Sequence, residues 1–464
     1  RVIAVARRLL LIQGRRLVLY KAGGNGLFLR EAATLYEKKT PRDGDHSDLQ
    51  GLINMLTSRD AVAKRRFAYD KLNLPEIINF LAANIVLQDW DYGNKNYYVY
   101  RDRYGSDEWT IFGWDKNLTF GYVWDNSNCV ANDDFIGHSG GFGVCSPYWN
   151  SWNALYGLIF NINTPYVSIP DFLPLYARRA RTLMDKLLQP PDTPVNELKF
   201  EQRIEQLRQQ LKAVAQADRA KWGWPAQGGF FRHAHLQIDE GCTELTNLYL
   251  ARRRTHLFVT HNVRRGGILP DTQPASANLL FGTIESVPAS GNKQESYIEL
   301  RNTNSYAIDI SGWRLSNDVV YTFQPGVVVA AGGSLYVSPR VSAFRARSVS
   351  PRSNEYRFVQ GNYAGRLSSW GGTIDLLDDA EALKNSIAYP ATLSPPQQSL
   401  RVTEIMYHPA DPPSDSPYVN SDFEFIELYN IGAPLNVSGV YFEAGITFSF
   451  GTSAVTIPSD TCAV

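Results

Sequence analysis

The chain has 464 residues, enough for about three domains. Its 46 Lys and Arg balance 46 Asp and Glu, and 44% of its residues are hydrophobic. That composition builds a packed core rather than a disordered chain, and zero net charge argues against whole-chain capture of nucleic acid or of an acidic membrane.

The opening segment, RVIAVARRLLLIQGRR, is broken by arginines and has no small-residue cleavage site, so it does not read as a signal peptide. With Arg1 in first place, the chain reads as one whose start lies upstream. No apolar run reaches the roughly 18 residues of a membrane span. Residues 1–262 mix helices with short strands. Asn73-Leu-Pro-Glu76 places a capping Asn before a Pro and an acidic residue three positions on, which predicts a helix start. The following stretch, Ile77 to Leu87, is apolar nearly all round, so that helix is expected in the core. A short polar loop comes next, with Asp89, Asp91, Asn94 and Asn96. NYYVYR and EWTIFGW flank a turn at 104–107 and predict an antiparallel hairpin.

A hairpin returns its second strand to where the first began. Asn96 and Asp115, 19 positions apart, are therefore expected side by side, with Asp91 reaching them through the loop. Two carboxylates and a carboxamide converging at one edge form a hard-oxygen site of the kind Mg²⁺ takes beside substrate phosphates. Asp91-x₄-Asn96 also has the spacing of a protein-kinase catalytic loop, with a later Asp after a hairpin. The competing reading is that these residues only cap a helix and close a turn.

Further along, Phe200, Ile204, Leu207, Leu211 and Val214 recur at helical spacing and predict an amphipathic helix. Arg252–Arg254 reads as a solvated face. His233 and His235 lie on one side of an extended stretch, but no third ligand is visible. Cys129, Cys145, Cys242 and Cys462 form no CxxC. Cys129 and Cys145 either pair, if the protein is exported, or stand as isolated thiols. Residues 263–279 read as a linker.

From residue 280 onward, strands and turn residues alternate as in an all-β sandwich. Ile298-Glu-Leu-Arg-Asn302 with Ser311-Gly312 returns as Ile426-Glu-Leu-Tyr-Asn430 with Ser438-Gly439, offset by 128 and then 127 positions. The second copy stops about halfway at Val464, so residues 400–464 are expected to be poorly packed. Glu299 and Glu427 occupy equal repeat positions, and a structural role at a strand edge is expected for them rather than metal binding. No GK[ST] or HExxH motif supports a rival enzyme class.

The stretch DWDYGNKNYYVYRD…WTIFGWDKNLTFG resembles the core motif of CotH-family proteins, the spore-coat-type atypical kinases. YEKKT at 36–40, Ser47-Asp48-Leu49, RTLMDKLL at 181–188, DRAKWGWP at 218–225 and YLARRRTHLF at 249–258 agree with it. The resemblance implies an α+β kinase-like lobe over 1–262, lacking its amino-terminal strands. It implies phosphate transfer from ATP to a protein Ser or Thr hydroxyl with Mg²⁺ or Mn²⁺. On it, Asp91 is the catalytic-loop Asp, Asn96 and Asp115 are metal ligands, and Asp89 matches a second acidic position without a role. Asn117 stands where the family usually has a further Asp. Lys21 and Glu37 remain near the start, where nucleotide-side residues are expected.

YIELRN…IDISGWRLSN…GRLSSWGGTIDLLD resembles a lamin-tail domain, an immunoglobulin-like sandwich, over 280–395, with Trp313 in its core. TEIMYHPADPP…FEFIELYN resembles the start of a second, partial copy over 396–464. Together these imply a large exported or cell-surface bacterial protein whose β modules bind a protein or surface partner, with nucleic acid not expected as one. Two functions follow: a kinase, or a surface scaffold with an impaired kinase-like lobe.

Overall fold

The computed structural model describes residues 18–23, 29–42, 44–89, 95–116, 119–121, 153–160, 167–223, 236–442 and 445–464. Cys129, Cys145, His233 and His235 lie outside them. The chain divides into two compact units, 1–366 with 374–387, and 367–373 with 388–464.

The first unit begins with an antiparallel sheet in the order β2-β1-β3-β4, where β1 is Val18–Ala22, β2 Glu37–Thr40, β3 Tyr97–Arg101 and β4 Trp109–Gly113. Its alternation sets Val18, Tyr20, Tyr97, Val99, Trp109 and Ile111 inward, all buried. Helices α1 (Ser47–Thr57), α2 (Ala61–Lys71) and α3 (Leu74–Leu87) follow β2. The Asn73 side chain caps α3 by accepting the Glu76 amide at 3.2 Å, with Pro75 in the first turn, as the sequence predicts. α3 is buried on most faces and packs on α4 (Phe172–Leu183).

A buried helix end leaves carbonyls that need donors. The Asn84 carbonyl takes the Gln88 and Asp89 amides. Ile85 takes the Arg253 guanidinium at 2.5 Å, Val86 the Tyr249 hydroxyl at 3.3 Å, and Leu87 the Phe120 amide at 2.7 Å. This corrects the reading of Arg252–Arg254 as a solvated face: only Arg252 is exposed, while Arg253 and Arg254 are buried. Arg254 donates to the Leu188 and Gln189 carbonyls at 3.0 Å each and pairs with Glu201 at 2.7 Å. The predicted amphipathic helix exists as α5 (Lys199–Trp222). Phe200 and Ile204 pack on the core, but Leu211 and Val214 stay largely exposed.

The sandwich has a four-stranded sheet of β12-β11-β6-β5, with β5 Leu280–Glu285, β6 Tyr297–Arg301, β11 Ser334–Ser338 and β12 Phe358–Gly361. Opposite it lies a five-stranded sheet of β13-β9-β8-β14-β15, with β8 Arg314–Asn317, β9 Val319–Thr322, β13 Ala364–Gly365, β14 Gly372–Leu377 and β15 Leu383–Tyr389. β7 (Ile308–Asp309) and β10 (Val328–Val329) pair separately. Trp313 is buried, as expected.

The sandwich shares a core with the helices, since Ala307 and Val328 belong to the same apolar cluster as α3 and α4. Arg179 of α4 pairs with Asp309 at 3.0 Å with both side chains buried, and Arg178 donates to the Ala307 carbonyl at 2.9 Å. Gly326 has φ +93°, and a Cβ there would lie 1.9 Å from the Pro75 carbonyl oxygen of α3, so the approach requires glycine.

In the second unit, β16 (Leu400–Met406), β17 (Phe425–Asn430) and β20 (Cys462–Ala463) form a sheet, and β18 (Leu435–Asn436) pairs with β19 (Thr456–Ile457). Val402 and Ile405 of β16 are exposed, in keeping with the expected loose packing. The repeat is a repeat of structure. Asn302 donates to the Tyr306, Val329 and Ala330 carbonyls, and Asn430 donates to the Ala433, Ile457 and Pro458 carbonyls. Both amides are buried. Asn302→Ala removes the buried donor shared by these three carbonyls, of which Ala330 keeps the Gly333 amide, and is expected to cost about 2 kcal/mol, measured as the shift in urea unfolding of the first unit.

Glu299 accepts the Thr283 amide at 3.0 Å, the Ser334 hydroxyl at 2.8 Å and the Arg301 guanidinium at 2.7 Å, which gives it a structural role. Burial alone would raise its carboxyl, but these hydrogen bonds outweigh burial and hold it down at about 2, from an ordinary 4.5. Its contribution is present above pH 4.5 and lost as pH falls toward 2. Glu299→Gln is expected to flatten the acid limb of the stability profile in that window, read as urea midpoint against pH.

Candidate active site

The β3–β4 hairpin places the polar residues that the sequence singles out. Its register runs from Arg101↔Trp109 at the turn to Tyr97↔Gly113 at the open end. Asn96 and Asp115 flank that last pair on opposite strands. The Trp114 amide donates to the Asn96 carbonyl at 2.8 Å, and the Asn96 carboxamide reaches toward the Asp115 carbonyl at 3.4 Å. Both residues are left-handed, with φ +58° and +52°. Such backbone persists where its surroundings enforce it, and it concentrates at functional sites. Asp91 and Asn117 lie outside the described residues.

Beneath this mouth the buried Tyr97 hydroxyl lies 3.2 Å from that of Tyr36, which accepts the Leu29 amide at 2.8 Å. Burial pushes both phenols up, so the pair stays neutral and fixes the start of β3. The outer face of the sheet is different. Tyr98 stacks on Phe112 at 5.2 Å, Trp114 meets Tyr98 edge-on at 5.7 Å, and the Lys21 ammonium lies 5.3 Å from the Trp114 ring centre. Lys21 stands in register with Tyr98 on one side and Glu37 on the other. Trp114 is 50% exposed, so an aromatic surface with a cation borders the open end.

Asp89 acquires a partner that sequence reasoning missed. Its carboxylate is 1% exposed and lies 2.9 Å from the Lys116 ammonium. The pair ties the loop after α3 to the segment after β4, the two stretches that carry Asp91 and Asp115. Lys116 gets there by folding back along β4, and a Cβ on Gly113 would meet its Cε at 2.5 Å. The only signal in the sequence was an acidic residue without a role and a lysine just after Trp-Asp. Lys116→Met removes this ammonium from beside a buried carboxylate and is expected to cost about 2–3 kcal/mol. Asp89→Leu combined with Lys116→Met should recover most of that loss, so a double-mutant cycle in chemical unfolding measures the pair.

Residues 19–256 match the family described as CotH kinase protein, and residues 272–390 match the Lamin Tail Domain. No curated protein matches the chain. The first match takes in α1 to α5, the hairpin, Asn96, Asp115 and the Asp89–Lys116 pair, more than half of the sequence. The chain belongs to the CotH kinase protein family and carries a lamin tail domain after its kinase region.

Proposed function

We propose that this chain transfers the γ-phosphate of ATP to a Ser or Thr hydroxyl of a protein, at the open end of the β3–β4 hairpin. The observation that carries this reading is the pairing of Asn96 with Asp115 beside the exposed Trp114–Tyr98 surface and Lys21. A carboxamide and a carboxylate are hard oxygen donors. They fit Mg²⁺ or Mn²⁺, which take one or two carboxylates and fill the remaining positions with substrate phosphates and water. Among the described residues no group of three or more His, Cys, Asp and Glu side chains could hold a metal ion alone. When bound, the cation neutralises phosphate charge.

In this reading Asn96 and Asp115 fix the phosphates, and Trp114 with Tyr98 offers a flat face to the base. Lys21 adds positive charge near the phosphates. Asp91 orients the acceptor hydroxyl and takes its proton as the new O–P bond forms and ADP leaves. The arrangement supplies positioning and electrostatics, which is most of what phosphoryl transfer asks of a protein.

A second reading, a surface scaffold acting through its β modules, is favoured by Asn117, which offers an oxygen without charge where the family motif has Asp. Under either reading we place the protein outside a bacterial cell, with the lamin-tail modules holding a protein or surface partner. Among the described residues no helix is long and apolar enough to cross a membrane. Calorimetry with Mg²⁺ and ATP separates the two. The kinase reading expects metal-dependent binding that weakens about tenfold or more in Asp115→Ala. Equal binding by the parent and by that variant would overturn the metal role of Asp115, and no binding by the parent would favour the scaffold.

A further inference from the structure

The lamin-tail sandwich grips both elements that carry the proposed site, each at the end remote from it. The first is the hairpin. Its turn is built by Asp102, whose carboxylate accepts the Gly105 and Ser106 amides, and by Asp107, which pairs with Lys71 and Arg101. Into this turn reaches Arg345, the last residue of α6 (Val341–Arg345) in the sandwich. Its guanidinium lies 2.6 Å from the Glu108 carboxylate, with both side chains about nine-tenths buried. It also donates to the Ser106 carbonyl at 3.2 Å and to the Tyr69 carbonyl of α2 at 3.1 Å.

The second element is α3. Gln324 donates to the Asn73 side-chain oxygen at 3.1 Å, the same oxygen that caps the helix. The Asn73 amide in turn donates to the Trp109 carbonyl of β4 at 2.8 Å, so cap and hairpin are joined. The Asn354 amide adds a bond to Asp70 at 2.9 Å. α3 leads at its far end into the loop of Asp89 and Asp91. The hairpin leads at its far end, about 15 Å away at strand rise, to Asn96 and Asp115.

We propose that the lamin-tail sandwich is an internal positioning module of the kinase site, and that Arg345 is its principal positioning residue. The proposal rests on the phosphotransfer reading for its purpose but not for its geometry. A forked guanidinium holding a carboxylate and two carbonyls fixes the hairpin turn in direction as well as distance. β3 is paired along its length with β1 and β4, so the strands run as one sheet from turn to mouth and fixing the direction of the turn fixes the direction of the mouth.

The test uses the full chain. Arg345→Met, Arg345→Lys and a control, Arg314→Ala, which removes an exposed ion pair with Glu381 elsewhere in the sandwich, are compared by amide hydrogen exchange and by Mg²⁺-ATP affinity. Arg345→Met is expected to speed exchange of the Tyr97–Gly113 amides about tenfold and to weaken nucleotide binding about fivefold. Arg345→Lys should fall between Arg345→Met and the parent, and the control should match the parent. Faster exchange confined to 340–358 and 69–70, with the hairpin unchanged, would overturn the proposal. If the parent binds no nucleotide, the phosphotransfer reading fails while the exchange result still decides the positioning role. If Arg345→Met does not fold, Gln324→Ala decides the matter, with faster exchange at the Trp109 end of β4 expected and unaltered exchange there contrary to the proposal.

Discussion

The need of one buried helix for partners at both ends organises most of the first unit. α3 is apolar nearly all round, so burying it is favourable, but its last carbonyls then lie away from water. Leaving even one unpaired costs about as much as several buried methylenes gain. Arg253, Tyr249 and the Phe120 amide each satisfy one of them. These partners come from distant parts of the chain, so meeting the requirement fixes where those parts sit. Phe120 is the clearest case. Its amide on Leu87 brings the segment that follows Asp115 onto the end of α3, where the loop of Asp89 begins. The Asp89–Lys116 pair closes the same junction a second time through side chains. The proximity of Asp89 to the segment after Asp115 is thus a consequence of finishing a helix.

That logic explains which parts of the fold were legible in the sequence. The capping Asn73, the apolar run after it and the paired strands around residues 104–107 are local patterns, and each one specified its element. The juxtaposition of Asn96 and Asp115 followed from hairpin geometry alone. The arginines were misread because a charged triplet has no local feature that says whether it faces water. Arg253 is buried because a particular carbonyl elsewhere lacks a donor, and that vacancy is a property of the assembled core. Arg178, Arg179 and Arg181 of α4 are buried for the same kind of reason, among carbonyls and carboxylates supplied from beyond residue 269. The Asp89–Lys116 pair was hidden in the same way. Its members are far apart in sequence, and only the fold-back over Gly113 makes them neighbours.

The two copies of the repeat separate what the module needs for its own fold from what ties the lamin-tail sandwich to α4. Both copies preserve the buried amide at Asn302 and Asn430 with the same set of carbonyl partners, so the amide belongs to the module's own architecture. Both also preserve a side-chain turn: Asp309 accepts the Ser311 amide at 2.9 Å, and Asn436 accepts the Ser438 amide at 2.9 Å. A carboxylate and a carboxamide serve this turn equally well. Only the carboxylate can also neutralise a buried guanidinium, and Asp309 faces that of Arg179. The turn therefore demands an Asx residue, while the docking demands the charge. At position 309 aspartate meets both demands, closing the turn of its own module and anchoring that module to α4.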